Sequence, residues 1–500
     1  MSESENPNQQ AGGGSDASRI SVAVIGTGMA GLVTAYLLQH DERQKFDIEV
    51  FESQEALSLD AEAENIESED GKDAINISHP MRVIDDGYYK YMTLMYEHLG
   101  IKCDPQKFLF SYSYIPKAKP GSGSDQAHEE AAQAKVSFLY SSNNHRIPPL
   151  RPDGLSFFSW LGELFYVTFF FGWFVIACFW VNAGKAHPKP PAADQGQSES
   201  LEEYFHRVRL PRYFVHRYIL PPLSSMSTCT HSEMLSFPAS DIVHYIRRTY
   251  GAPHYLVRGG TRAVEHTLSK GLNIRLGARV TSVRPAGSSV MVCWEATSSA
   301  SGLAGEKIPP MSCCQRTFDR VILAIPPNAV GAIFEPLREE TSAIPTTSVE
   351  SLIHTDASTL PNVFPASVKA QTASKENIEW AHLRSTAEST ESIHEHPSSY
   401  IITTSPLIPI DPSKVVRRSY FTRTLRTPQS RAIVNRIFDK TSPSSDQESR
   451  AKPPGWRNGD GNVFLVGSWC WDGMVLLEGC VVSAMRLADE FGVRVPWVKR

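Results

Sequence analysis

Gly26, Gly28 and Gly31, in the run Gly26-Thr27-Gly28-Met29-Ala30-Gly31, and Glu52 further along are the residues whose spacing points most directly to chemistry. Glycines so spaced let a backbone turn tightly, approach a diphosphate and pack a helix close to a sheet. The N-terminus of the helix that follows would aim unpaired N–H groups and the positive end of its dipole at the phosphates, with Met29 and Ala30 of the turn beside them. A carboxylate at Glu52, followed by Ser53, can accept hydrogen bonds from ribose hydroxyls and would repel a 2′-phosphate. The chemistry implied is dinucleotide binding, and the motif alone does not separate a flavin from a nicotinamide dinucleotide.

These residues work only if the right elements hold them. Ile20–Ile25 is a short apolar run rich in β-branched residues, expected to be a buried parallel strand. Leu32–His40 carries helical apolar spacing, and Phe46–Phe51 forms a second strand ending at the acid. The order is strand, glycine turn, helix, strand, acid.

Composition limits the rest. The chain has 500 residues, 41% hydrophobic and 10% aromatic, which is ample for a large core. Six polar stretches (1–18, 117–135, 184–200, 296–316, 366–397 and 439–461) read as tail or surface loop, leaving room for two interleaved domains rather than three. A net charge of −5 supplies no basic field for nucleic acid. The eight cysteines include no C-x-x-C pair and no zinc spacing, so neither a disulfide scaffold nor a metal site is expected. Residues 1–18 lack an apolar core and arginines, so no secretory or mitochondrial signal is expected and the location reads as intracellular, cytoplasmic or membrane-associated.

Further blocks follow in order. Pro80-Met81-Arg82-Val83 leads into a helix ending at Leu99-Gly100. Val257-Arg258-Gly259-Gly260 precedes a helix to about Leu268, a strand pair at 273–276 and 278–283, a strand at 290–295, and the apolar run 318–327. Asn462–Gly467 is a strand ending in glycine, and a helix runs from Leu477 through Ala488. Together with the first glycine motif, these blocks resemble the flavin-containing amine oxidase superfamily, and more closely a branch of NAD/FAD-binding oxidoreductases within it.

The resemblance implies an α/β fold, a Rossmann-type FAD-binding domain interleaved with an α+β substrate domain. It places the FAD-binding parts at 19–104, 251–335 and 462–500 and the substrate parts at 105–250 and 336–438, with 1–18 as tail and 439–461 as loop. FAD is the implied cofactor. Met81, Arg82 and Val83 would line it, Val280 would meet the adenine end by its backbone, and Gly467, Ser468, Leu477 and Glu478 would border the flavin. Two departures stand out. The family's Gly-Gly-Arg loop after the ribose acid is replaced by residues 53–62 without such a triplet, which makes Arg82 the candidate for the missing positive charge. The lysine commonly placed near flavin N5 has no equivalent between Ser348 and Pro361. Cys470 reads as a buried thiol and not as a covalent flavin link.

Residues 164–183 contain no charge for twenty residues and twelve aromatics crowd 157–180, so this stretch is either a helix buried in the substrate domain or one docked in a membrane leaflet. A crossing would separate two halves of one nucleotide site. Trp469 and Trp471 are candidates to wall the reacting face. His354 and Asp356 are read as a sheet-edge pair with a proton-handling alternative, and Arg247 with Arg248 as a solvated helix face. The expected activity is hydride removal from a hydrophobic small molecule (a lipid, isoprenoid or specialised metabolite). An amine or amino acid substrate and a non-catalytic, membrane-associated FAD scaffold are the alternatives.

Overall fold

A computed structural model describes residues 19–59, 63–67, 74–77, 82–116, 134–141, 151–183, 199–296, 313–361, 378–438 and 455–498. Strands β1 (Ile20–Ile25) and β2 (Phe46–Phe51) fall on the residues expected. Helix α1 (Met29–Gln39) begins ahead of the expected Leu32, because Gly28 is its N-cap and Met29-Ala30-Gly31 form its first turn.

β1 sits centrally in a five-stranded parallel sheet, between β2 and β13 (Arg320–Leu323). β9 (Asn273–Arg275) extends the sheet beyond β2, and β19 (Val463–Leu465) beyond β13. Val22, Ala23 and Val24 are fully buried, which explains why β1 reads as unbroken apolar sequence. Helix α7 (Leu477–Glu490) packs beside α1, so the last part of the chain closes the first.

The expected strand pair at 273–276 and 278–283 does not form. β9 joins β2 in parallel, while β10 (Ala278–Ala286) pairs with β11 (Ser289–Ala296) and β11 with β12 (Cys313–Phe318) in a separate antiparallel sheet. The link Leu276-Gly277 is long enough for a hairpin turn, so length is not the reason. Hydrogen bonding is. The N–H groups of Gly277 and Ala278 are taken by the carbonyls of Gln54 and Glu52, which fastens the turn to the end of β2, and Gly277 redirects the chain there at φ 64°.

The second large unit is a nine-stranded sheet. Its order is β18 (Val415–Thr424), β14 (Thr346–His354), β17 (Ile401–Thr404), β16 (Thr390–Glu395), β15 (Ile378–Ser385), β6 (Cys103–Tyr114), β8 (His254–Val257) and β5 (Ile84–Asp85), with β7 (Val136–Ser141) also on β6. β5 and β8 lie within segments expected for the nucleotide unit, yet they pair into this sheet.

The expected loop at 366–397 is corrected here, because it contains β15 and β16 in the middle of the sheet. The expected loop at 296–316 likewise gives way to β12 from Cys313 onward. Polar residues of β15 and β16 are buried and paired. Arg384 donates to Glu391 at 2.8 Å, His382 meets Ser111 at 2.6 Å and Glu395 at 2.5 Å, and His394 meets Glu379 at 2.6 Å. A strand covered on both faces and filled with paired polar groups shows no apolar alternation, so its sequence resembles a loop.

Helices cover this sheet. They include α4 (Leu201–Arg207), opened by a Ser200/Glu203 capping box, α5 (Leu220–Ser227) and α6 (Ala239–Thr249). Helix α3 spans Phe157–Trp180, starting before the expected 164 because Ser156 caps it, and ending before 183. Only a stripe of Val167, Phe174, Ala177 and Cys178 is buried, so α3 is not a helix wrapped by the core. Two more strands, β3 (Glu64–Glu67) and β4 (Ala74–Ile77), form a small hairpin. The tail 1–18, Met81 and most of 117–135 lie outside the described residues.

Candidate flavin and active site

The three glycines of the first turn have different surroundings. A Cβ on Gly26, at φ 104°, would lie 2.7 Å from the Ala324 carbonyl oxygen, and one on Gly31 would lie 2.0 Å from that of Gly26. A Cβ on Gly28 would meet nothing within 4 Å. Two glycines therefore serve close backbone packing, while the middle one borders open space where a diphosphate can approach. No side chain caps α1, so its first N–H groups are not claimed by a capping residue. The Ala30 backbone favours the Cys480 thiolate, an effect that burial of the thiol outweighs.

Glu52 is buried at the end of β2. Its Oε2 accepts from Thr27 N–H at 3.2 Å and from Thr27 Oγ1 at 2.5 Å, and its Oε1 accepts from Gln54 N–H at 3.0 Å. Ser53 Oγ donates to the same carboxylate at 3.2 Å. The loop that replaces the Gly-Gly-Arg triplet is tied back by Ser58 N–H to Thr27 Oγ1 at 2.8 Å. Arg82 leans onto that loop, donating from Nη2 to the Leu59 carbonyl at 3.0 Å, and Val83 beside it is half-buried. Val280 is buried on β10 next to an irregularity between Val280 and Ser282.

Sequence reasoning missed Arg423. It sits on β18 in the large sheet, donates from Nε to Thr228 Oγ1 at 2.9 Å, and acts electrostatically together with Arg82 on Cys480 in the first turn of α7. Burial and the neighbouring Arg82 push its guanidinium down. Nothing local in the sequence marks this residue, since its bonding partner Thr228 lies 195 residues away.

The C-terminal block forms a tight loop before α7. Gly467 N–H donates to Ser483 Oγ at 3.0 Å, and Arg426 donates to the carbonyls of Trp471 at 2.7 Å and Trp469 at 2.8 Å. Ser468 is half-buried after this glycine, and its backbone favours the Cys480 thiolate. Trp469 does not present an open face: it is buried and donates to the Ile325 carbonyl at 3.2 Å. Trp471 lies across the start of α7, where a Cβ on Gly479 would sit 2.4 Å from its Nε1. It also borders a cavity of about 750 Å³ shared with Tyr88, Asp241, Arg431 and Glu478.

Leu477 begins α7 without a side-chain cap, leaving the helix N-terminus to face a negative charge. The Glu478 side chain turns elsewhere. Its carboxyl accepts from Tyr91 N–H at 2.8 Å and Met92 N–H at 3.0 Å, capping α2 (Lys90–His98), and burial pushes it up to about 7. Burial also pushes the Cys480 thiol up to about 11 and the Cys470 thiol well above its usual range, so both stay protonated.

His354 and Asp356 do not form a proton-handling pair. His354 is buried on β14, bonded to Thr403 Oγ1 at 2.8 Å, and accepts the backbone N–H of Asp356 at 3.1 Å. The Asp356 carboxylate is instead held by Lys414 at 3.0 Å. Arg247 and Arg248 are exposed as expected, and Arg247 also donates to the carbonyls of Cys178 and Phe179 at the end of α3.

The family profile described as flavin containing amine oxidoreductase matches residues 128–491. The chain belongs to that family. A profile for an NAD(P)-binding Rossmann-like domain matches residues 24–99, covering the glycine turn and Glu52. As a flavin-containing amine oxidoreductase, the protein is an FAD-dependent oxidoreductase.

Solved structures agree in fold. A cofactor-site redesign variant of putrescine oxidase shares 13% identity over 96% of this chain and 100% of its own, with a TM-score of 0.55. Cyclohexylamine oxidase from Brevibacterium oxydans shares 11% over 95% and 100%, at 0.54. A fatty acid isomerase from P. acnes that produces CLA shares 11% over 94% and 98%, at 0.55. No curated protein matches the chain. FAD suits the residues present: the space before Gly28 and two uncapped helix starts accept an anionic dinucleotide, and Arg82 and Arg423 bring positive charge.

Proposed function

We propose that this oxidoreductase removes a hydride from a hydrophobic small molecule, a lipid or isoprenoid-like compound. The observation that carries the reading is the sign of the charge where the large sheet meets the cofactor helices. Arg82, bonded to the Leu59 carbonyl, and Arg423, bonded to Thr228, both act electrostatically on Cys480 in the first turn of α7. The nearby carboxyls, Asp85 and Glu478, face backbone N–H groups, and burial pushes them up to about 6 and about 7. An amine is an ammonium ion at neutral pH and is repelled by the Arg423 guanidinium. Tyr89, Tyr96 and Tyr245 around them are kept neutral by burial, so the surroundings favour an apolar body.

Bound FAD supplies a two-electron acceptor at flavin N5. The chain's own residues do the rest. The Gly26–Gly31 turn would hold the diphosphate, Glu52 the ribose, Val280 the adenine end, and Arg82 would offset the phosphate charge. The α7 start at Leu477 would face the negative charge of the reduced ring. Arg423, fixed by Thr228, is left to orient an acidic or polar head group of the substrate.

Anaerobic bleaching of the flavin bands near ~375 and ~450 nm tests this reading. Long-chain fatty acids and polyprenyl alcohols should bleach the holoprotein, and putrescine and secondary amines should not. Arg423→Met should slow bleaching by the fatty acid about tenfold, while Gly28→Glu should be colourless. Rapid bleaching by an amine, with none by the apolar compounds, would overturn it.

A further inference from the structure

Nine of the fourteen exposed large apolar side chains among the described residues lie on α3. Phe158, Phe165, Phe169, Ile176 and Trp180 follow one another one or two turns apart, so they form one stripe along the whole helix, with Phe179 flanking its end. Phe158 is 82% exposed and Trp180 84%, too open for a helix that packs only within its own chain. At 1.5 Å per residue the stripe runs for ~33 Å. Tyr213 and Tyr250 extend it sideways, in ring contact with Tyr166 at 5.5 Å and with Phe179 at 6.1 Å.

Charge is arranged around this stripe. Glu163, the helix's single carboxylate, accepts from the hydroxyls of Tyr213 and Tyr218. Arg151 and Asp153, just ahead of the helix, offset each other. Exposed arginines stand at or next in sequence to residues that contact the helix. Arg212 adjoins Tyr213, Arg209 follows the Val208 carbonyl that takes Trp173 Nε1–H at 2.9 Å, and Arg247 caps the last turn.

We propose that α3 lies in the plane of an anionic phospholipid bilayer, with its aromatic stripe in the acyl boundary and the arginines at the phosphates. A crossing does not fit the topology. β7 before the helix and β8 after it both pair with β6, so both flanks stay on one side. A second copy of the chain is the poorer occupant, because a two-fold contact through this stripe brings the same arginine border against itself. A bilayer of anionic lipid meets both the apolar stripe and its positive rim.

Vesicle co-sedimentation of the full-length holoprotein tests the proposal. Phosphatidylcholine vesicles with about 30% phosphatidylserine should bind it, more tightly than phosphatidylcholine alone. The double variant Phe165→Glu, Phe169→Glu should lose at least about tenfold in vesicle affinity while keeping its FAD absorbance and melting temperature. If that variant does not fold, vesicles with brominated acyl chains decide the matter by quenching wild-type tryptophan fluorescence. Absence of vesicle binding and of quenching overturns the proposal, as does a stable dimer that the double variant abolishes.

Discussion

Glu478 is held by two backbone N–H donors that favour its charged form and by a burial that opposes it, and burial wins. Its carboxyl rises from an ordinary 4.5 to about 7. Protonation therefore favours the folded chain. The contribution is complete below about pH 4.5 and is lost as pH rises through about 7. Asp85, raised from 3.8 to about 6 and close enough to repel Glu478, acts in the same direction. The shift at Glu478 corresponds to about 3 kcal/mol at most. Urea unfolding should accordingly give lower stability at pH 8 than at pH 5, and Glu478→Gln should flatten that slope. An unchanged slope in the variant would assign the dependence elsewhere.

At the level of elements, the loop between β19 and α7 depends on one side chain from outside it. Arg426 is almost fully buried and donates to two carbonyls in that loop. Arg426→Ala leaves both acceptors unmatched, which should cost about 2–4 kcal/mol and weaken FAD retention together. Thermal melting and flavin content, measured on the same sample, check this. A loss of flavin without loss of stability would mean that Arg426 acts on the cofactor directly. Elements with local signals were legible in the sequence: β1, β2, the glycine turn, the Ser200 capping box and the helix after Leu477. Arg426 and Arg423 were not, because their meaning comes from partners on other elements. β15 was hidden for a related reason, its buried polar residues being satisfied only once Glu391, Glu395 and Ser111 are in place. The setting of Trp469 is not legible in sequence, because an aromatic beside a glycine turn looks the same whether it faces a ligand or the core.

Across the whole molecule, both sheets are assembled from distant chain segments. β1 pairs with β2 at once but waits for β13, and β13 waits for β19; β6 likewise lies parallel to β15, with Lys107 opposite Ile378. Pairings of such separation fold slowly because the loops they close carry a large entropy cost. Val463 follows Ile20 by about 440 residues, and a ribosome adding about 5–20 residues per second needs roughly 20–90 s to reach it. Throughout that interval the apolar flank of α1 has no α7 to cover it. Newly made chains should therefore spend their first minute as clients of chaperones that hold exposed apolar surface, and translation stalled before Val463 should yield protein that is degraded or aggregated and not a shorter, working enzyme.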